Sequence, residues 1–279
     1  MKRDIGLILR SSLENLVERE KDVTYYVFDY LKNNHNMKDI TAKEDVPGND
    51  LVFFQHFPFS RAKASEFAEV ENEAPFVNKP SGVIETSLKT SDYELFREYM
   101  PESIMSYESS DDLHNFLKNK EKVVVKPEEG TGGKNIDMIA SEEFQKLERD
   151  LGNLPEDERY LIQEYVPNEG DKRILVYDGN ILGGFKRYNE NANVNNVSAG
   201  GNWDYTGLTQ NEKSIARNIS QELREKDVYF IGIDLVEEQL MEVNTAAPGG
   251  LSKIDQDEKS TYSRFEEITQ DIIRRWRNG

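Results

Sequence analysis

The residues whose types and spacing point most directly to chemistry are Asp234, Glu242 and Asn244, within FIGIDLVEEQLMEVNTAAPGG from Phe230 to Gly250. Two apolar runs, Phe230 to Val236 and Leu240 to Val243, flank Glu237, Glu238 and Gln239 and predict a β-hairpin. The connection holds no Gly or Asn to supply the positive φ angles of a two-residue turn, so a loop of three residues or more is expected. That loop sets Val236 opposite Leu240 and Asp234 opposite Glu242. Side chains two apart on a strand share a face, which sends Asn244 the same way as Glu242. Two carboxylates and an amide oxygen then converge on one small volume. Such a set suits Mg²⁺, or Mn²⁺ in its place: Mg²⁺ takes oxygen ligands at about 2.0–2.1 Å and keeps water or phosphate oxygens in its other positions. The bland alternative is a hairpin whose acids face solvent. Gly249 and Gly250, after Pro248, weigh against it, because glycines let backbone approach a partner closely just beyond the third ligand.

The elements that must position these residues have ample material. At 279 residues with 37% hydrophobic content, one compact body or two to three small lobes are both compatible with the chain. Acids number 53 against 35 Lys plus Arg, leaving 18 net negative charges, which argues against nucleic acid or anionic membrane as a general partner. An anionic ligand must therefore be held by local, inward-facing cations. The acidity runs along the whole chain, a pattern shared by proteins of high-salt cytoplasms and by ordinary acidic soluble proteins. Without Cys there are no disulfides or thiolate zinc sites, and His35, His56 and His114 sit in no ligand spacing. No apolar run reaches the length of a membrane span and the first residues have too short an apolar core for a secretory signal, so a cytoplasmic location is expected.

Along the chain, Asp4 to Leu9 reads as a strand, followed by a helix to Leu31 that NNHN breaks. Leu51 to Phe54 reads as a second buried strand, so residues 1–78 are expected to form a small βαβ-type lobe. Phe53, Phe54, Phe57 and Phe59 are read as packing. Asn78 to Gly82 reads as a loop, and Ser91 with Glu94 as a capping box opening a helix that Pro101 ends, with Lys89 just ahead of it. Lys122 to Lys126 predicts a buried strand running into PEEGTGGKNIDMIA. Gly130, Gly132 and Gly133 there form a loop whose N–H groups can converge on phosphate oxygens, before Ile136 to Ile139 returns as an antiparallel partner. The P-loop pattern and its following helix are missing.

Tyr160 to Val166 (YLIQEYV, with Gln163, Glu164 and Tyr165) is another strand, and KRILVYDGNILGGFKRY gives two more around an Asp178-Gly179 turn. That hairpin places Arg173 and Arg187 at one end of the sheet, where the bland reading is two edge charges. The stretch NENANVNNVSAGGN, holding Asn196, Gly200 and Gly201, lacks apolar periodicity and reads as a moving active-site loop. Thr209 and Glu212 cap a helix to about Lys226, and the last helix is expected to bury Phe265, Ile268, Ile272 and Trp276.

Taken in order, Lys89, Lys126 with its glycine-rich loop, QEYV, GDKR, FKR, AGGN, GID and MEVN resemble the ATP-grasp superfamily, and within it are most similar to prokaryotic glutathione synthetase. The resemblance covers roughly Asn78 to Ile254 and is strongest in its second half. It implies an α/β (α+β) ATP-grasp fold: the small lobe 1–78, a lid lobe 79–166 with the glycine-rich loop, and a lobe 167–279 with the magnesium site, ATP lying between two antiparallel sheets. Carried over by position, Lys89 and Lys126 contact ATP phosphates and Gly130, Gly132 and Gly133 close over them. Gln163 and the backbone of Glu164, Tyr165 and Val166 face the adenine, and Asp171 binds ribose. Asn196, Gly200 and Gly201 join the nucleotide site. Asp234, Glu242 and Asn244 hold magnesium, and Arg173 and Arg187 lie beside the transferred phosphoryl group and the carboxylate being activated.

The activity so implied is an ADP-producing carboxylate–amine ligase acting on small molecules. A carboxylate attacks the γ-phosphate to give an acyl phosphate, and an amine displaces phosphate to form an amide. Positioning and charge neutralisation dominate such chemistry, and no nucleophilic side chain is needed. The two loops would act as lids that keep water from the acyl phosphate. The departures from the family concern substrate. NANVNN stands where the family's loop usually carries a basic residue. Thr245, Ala246, Ala247, Pro248, Gly249, Gly250 and Ser252 stand where it tends toward Thr-Ser-Pro-Thr-Gly and then Arg. The first expectation is γ-glutamylcysteine plus glycine. The alternatives are another amino-acid or peptide ligase, such as a glutamate-adding enzyme, or an ATP-binding protein without turnover. Homo-oligomerisation is left open.

Overall fold

The computed structural model describes residues 2–8, 31–32, 34–56, 59–130, 135–155, 157–189, 202–254 and 258–278. Three sheets organise them. The first is parallel, in the order β2-β1-β3-β4, from β1 (Asp4–Ile8), β2 (Asn36–Asp39), β3 (Leu51–Phe54) and β4 (Phe76–Val77). Phe53 and Phe54 are buried, as their aromatic run predicts, and α1 (Arg61–Ala68) turns Ala64 and Phe67 onto this sheet.

Two helices follow where the sequence suggests a loop and then a capped helix. Pro80 occupies the first turn of α2 (Pro80–Thr86), where its missing N–H costs nothing. Helix α3 (Lys89–Phe96) starts two residues ahead of Ser91, whose hydroxyl donates to the Glu85 carbonyl. The Ser91–Glu94 capping box is therefore not formed. The helices' polar ends leave the apolar residues Val83 and Phe96 inside.

The second sheet is antiparallel, in the order β5-β8-β6-β7, from β5 (Ser103–Met105), β6 (Lys122–Pro127), β7 (Asp137–Ala140) and β8 (Tyr160–Glu164). One face buries Val123, Val125 and Ile162 under α4 (Ser110–Leu117) and α5 (Phe144–Leu151). Strand alternation turns Lys126 and Gln163 to the opposite face.

The third sheet, also antiparallel, runs β11-β10-β9-β12-β13 from β9 (Asp171–Tyr177), β10 (Asn180–Tyr188), β11 (Asn202–Tyr205), β12 (Phe230–Val236) and β13 (Gln239–Asn244). Ile174, Val176, Ile231 and Ile233 point to α6 (Gln210–Arg224), whose Thr209–Glu212 capping box forms as its sequence predicts. On the other face Leu175, Tyr177, Phe185 and Phe230 pack against α7 (Glu258–Asn278) and the first sheet. Trp276 is 44% exposed, and fully buried Ile273 completes the helix face instead. Among the described residues no helix is long and apolar enough to cross a membrane.

The β12–β13 connection differs from expectation in an instructive way. Glu237 and Glu238 both take positive φ (48° and 62°) and make a two-residue turn, with Val236 opposite Gln239 and Leu235 opposite Leu240. An extra residue, Met241, bulges out of β13 and restores Asp234 opposite Glu242. The turn is held from outside: the Glu238 carboxylate accepts from Thr209 Oγ1 at 2.6 Å and Asn211 Nδ2 at 2.8 Å, at the start of α6.

Asn78, fully buried, joins the second region to the third sheet. Its Nδ2 donates to the Phe230 carbonyl at 2.7 Å and the Thr245 carbonyl at 2.6 Å. Its Oδ1 accepts from the N–H groups of Tyr229 and Phe230, each at 2.7 Å. Asn78→Ala leaves these buried groups unpaired and should cost about 3 kcal/mol of unfolding free energy. Urea denaturation checks this, and an unchanged midpoint would mean that the junction is held elsewhere.

Candidate active site

Strand register lays the polar end of the third sheet out in rows. Tyr205, Phe185, Arg173, Asp234 and Glu242 follow one another across β11, β10, β9, β12 and β13. Beside them run Trp203, Arg187 and Asp171, and on the other side Gly232 stands opposite Asn244. All of these side chains share the face that further along buries Leu175 and Tyr177. The apolar half of the face is filled by α7, and the polar half is the candidate site.

Its centre is a chain of ion pairs. Arg173 grips Asp234 with two contacts of 2.7 Å, Nε to Oδ1 and Nη2 to Oδ2. Arg187 Nη2 lies 2.8 Å from Asp234 Oδ2, and Arg187 Nε donates to Asp171 Oδ1 at 2.6 Å. Asp234 and Arg187 are each 5% exposed. Burial alone would raise the pKa of Asp234, but Arg173 and Arg187 outweigh it and hold the carboxyl well below the usual carboxylate range. Arg187 is held above its ordinary value, the acids Asp234 and Asp171 outweighing burial.

Two further elements bring lysines to the edge strand β13. From α3, Lys89 Nζ lies 3.7 Å from Glu242 Oε1. From β6, Lys126 Nζ donates to Gln163 Oε1 at 2.8 Å and to the Met241 carbonyl at 3.3 Å. Asp92, unremarked in the sequence, sits one helical turn past Lys89 and is 3% exposed. Its Oδ2 accepts from the Val243 N–H at 3.2 Å, between Glu242 and Asn244. Burial, and then Glu242, push its pKa well above the usual range. Lys126 and Asp92 thereby occupy outward backbone groups of β13, which an unprotected edge would leave open.

The expected cation ligands are brought to one face, with different states. A carboxylate offers about four lone-pair sites, and the contacts on Asp234 use three, leaving one on Oδ1. Glu242 is half-exposed, and among the described residues its ion pair is with Lys89. Asn244 Oδ1 accepts from Ala247 N–H at 3.1 Å, so its amide is engaged in its own loop. Among the described residues no three His, Cys, Asp or Glu side chains converge. A cation here would rest on one oxygen of Asp234, on Glu242 and on the second lone pair of the Asn244 amide oxygen. That set fits a hard ion completed by water or phosphate oxygens.

The remaining expected residues divide. The N–H groups of Glu164 and Tyr165 are taken by the carbonyls of Glu102 and Lys122, at 2.8 and 3.1 Å, and the Glu164 side chain binds Lys120. Among the described residues this leaves the Val166 N–H as the free backbone donor of that stretch. Gly130 lies three residues past the end of β6, whereas Gly132, Gly133, Asn196, Gly200 and Gly201 lie outside the described residues. The two glycines after Pro248 differ in their surroundings. Nothing lies within 4 Å of a Cβ built on Gly249, and one built on Gly250 (φ +113°) would stand 2.4 Å from the Phe185 ring.

The profile of the prokaryotic glutathione synthetase ATP-grasp domain matches residues 90–259, which takes in every site residue above except Lys89. Glutathione synthetase of Agrobacterium fabrum is 30% identical over 233 residues, 80% of this chain and 72% of that protein. The glutathione synthetase of Prochlorococcus marinus subsp. pastoris is 32% identical over 167 residues, 58% of this chain and 54% of that one. Among solved structures, D-cycloserine synthetase DcsG superposes with a TM-score of 0.69 at 12% identity, covering 95% of this chain and 99% of that one. D-alanine–D-alanine ligase from Bacillus anthracis complexed with ATP superposes at 0.64 and 16% identity, covering 99% of each chain. The fold and these relatives together define an ATP-grasp ligase. Within that class the chain belongs to the family of the prokaryotic glutathione synthetase ATP-grasp domain.

Lys126 gives a pH signature. Burial first, and then Lys89, pull its pKa down from 10.5 to about 8, against Glu242. The unfolded chain therefore binds more protons between pH 8 and 10.5, and stability rises with pH across that window. Compared with Lys126→Met, wild type should gain on the order of 2–3 kcal/mol between pH 7 and pH 10. Denaturant titrations of both proteins at the two pH values measure it, and parallel behaviour would show that Lys126 is not desolvated.

Proposed function

We propose that this chain is an ATP- and Mg²⁺-dependent ligase that joins a carboxylate to an amine through an acyl phosphate. The observation that supports this most is the convergence at the edge of β13, where Lys89 and Lys126, from two separate elements, meet the row Arg173–Asp234–Glu242. In a chain with 18 net negative charges, four cations collected on one polar face mark a place for anions. In this reading Lys89 and Lys126 hold the phosphates of ATP, with Gly130, Gly132 and Gly133 above them. Gln163 and Glu164 to Val166 line the adenine, the Val166 N–H being the available donor. Asp171 takes the ribose, and Asn196, Gly200 and Gly201 complete the nucleotide site. The three lobes divide near residues 78 and 166.

Asp234, Glu242 and Asn244 would hold Mg²⁺, with Mn²⁺ as a substitute, and the ion would neutralise charge on the phosphates. The rest falls to the chain itself. Arg173 is locked by Asp234 into one orientation, and Arg187 by Asp171 and Asp234, so neither guanidinium need reorganise as charge develops on the transferred phosphoryl group. Lys126 gives up its Met241 contact for a phosphate oxygen, which its desolvated position favours. A cytoplasmic setting suits a reaction that consumes ATP.

The first substrate pair is γ-glutamylcysteine and glycine, supported by the glutathione synthetases at about 30% identity. A different amino-acid or peptide pair is favoured by the run Thr245 to Gly250, which holds fewer hydroxyls than the Thr-Ser-Pro-Thr-Gly toward which the family tends.

Arg187→Ala is a poor test, because it strands Asp171 and Asp234, and breaking such a buried pair costs about 3–5 kcal/mol. Arg187→Lys keeps the charge but loses the planar fork. It should leave ATP affinity near wild type while amide formation falls on the order of 10²-fold. Full turnover in this variant would assign Arg187 to structure. A wild type that binds ATP with magnesium yet ligates nothing in a broad panel of acids and amines would make the protein a binder.

A further inference from the structure

The two arginines of the site are matched by Asp171 and Asp234, but a third cation beside them is not. Lys253 carries its ammonium over the Trp203 ring, 5.5 Å from the centroid. Among the described residues no carboxylate pairs with it, although the chain has 53 acids. Trp203 stands directly opposite Arg187 in the β10–β11 register, so the lysine closes the row Trp203, Arg187, Asp171 at its β11 end. Both guanidiniums are near enough to add to the effect of burial in lowering its pKa.

The lysine is delivered by a built support. Leu251–Lys253 is a single 3-10 turn whose Leu251 is buried. Gly250, just before it, has φ +113° and lies where any side chain would strike the Phe185 ring. Phe185 meets Trp203 edge-on at 6.5 Å and 83°, and Trp203 meets Tyr205 edge-on at 5.2 Å and 89°. Gly250, one of the two glycines at which the sequence suggests a close approach, thus seats this turn against the aromatic row, with Lys253 at its end. A partly buried, unpaired ammonium beside two guanidiniums is costly without an anion to receive it.

The metal ligands lie toward β13 and Lys253 toward β11, with Arg173 and Arg187 between. We propose that Lys253 is a specificity-determining residue that binds a spectator carboxylate of a substrate, one that is neither activated nor attacked. This rests on the ligase reading. A molecule whose reacting end lies at the arginines would reach Lys253 with a second anionic group. The spectator carboxylate can belong to the acid, as a second carboxylate, or to an amino acid serving as the amine.

The test uses the full chain with Mg²⁺ and a non-hydrolysable ATP analogue, titrated calorimetrically with γ-glutamylcysteine and, separately, with glycine. Wild type, Lys253→Gln and Lys253→Arg are compared. Lys253→Gln should weaken one of the two probes by about 10- to 100-fold, Lys253→Arg should restore most of it, and affinity for the ATP analogue should be equal in all three. A loss confined to γ-glutamylcysteine places the spectator carboxylate on the acid, and one confined to glycine places it on the amine. Equal affinities of wild type and Lys253→Gln for both probes, a loss of ATP-analogue binding instead, or no binding of either probe to wild type would overturn the assignment. Failure of the ligase reading is seen separately, as probe binding that yields no amide once ATP replaces the analogue.

Discussion

The two-pronged contact between Arg173 and Asp234 is the constraint on which the rest of the site depends. It pins β9 to β12 at the polar end of the sheet and presents one face of Asp234 to Arg187, which in turn reaches Asp171 on β9. Two cations and two carboxylates cancel inside a buried row. A lone buried charge would cost several kcal/mol, whereas a closed set with its hydrogen bonds made avoids that cost. The same closure fixes where the guanidinium edges and the remaining lone pair of Asp234 point, so geometry needed for charge chemistry is set before any ligand arrives.

Around this row the edge strand β13 acts as a junction. Its backbone is met by Asp92 from α3 and by Lys126 from the second sheet, and its Glu242 by Lys89. A strand edge that would otherwise invite another chain is given instead to side chains of this one. The contacts are few and polar, which lets ligands replace them without dismantling an apolar interface. Asn78 provides the firmer tie, with four hydrogen bonds to backbone groups of the third sheet region.

Much of this was legible in the sequence where the signal is local. The Asp178-Gly179 turn, the Thr209–Glu212 box, the strand alternation that puts Glu242 and Asn244 on one face, and the antiparallel strands around the glycine-rich loop all follow from periodicity and turn chemistry, whereas Asp234 comes opposite Glu242 through a shorter turn and a compensating bulge. What escaped depends on distant partners. Glu237 and Glu238 accept positive φ because Thr209 and Asn211 hold the turn, which no feature of VEEQ reveals. Asp92 and Asn78 look like ordinary helix and loop polars, and their partners lie 151 and 152 residues away. Ser91 had the right spacing for a cap, but the helix begins earlier at Lys89. Of the two glycines after Pro248, Gly250 makes the close approach that the sequence signalled, and only the structure shows that the neighbour is Phe185.

The central claim is that Asp234 serves both as the counter-ion of two arginines and as a ligand for the ion that accompanies the nucleotide. Asp234→Asn tests it most directly, through ADP binding measured calorimetrically with and without Mg²⁺ and alongside a denaturation curve. Expected is that magnesium tightens ADP binding to wild type, that most of this tightening disappears in the variant, and that metal-free affinity changes little. An undiminished magnesium effect in a folded Asp234→Asn protein would contradict the claim and move the ion away from this face.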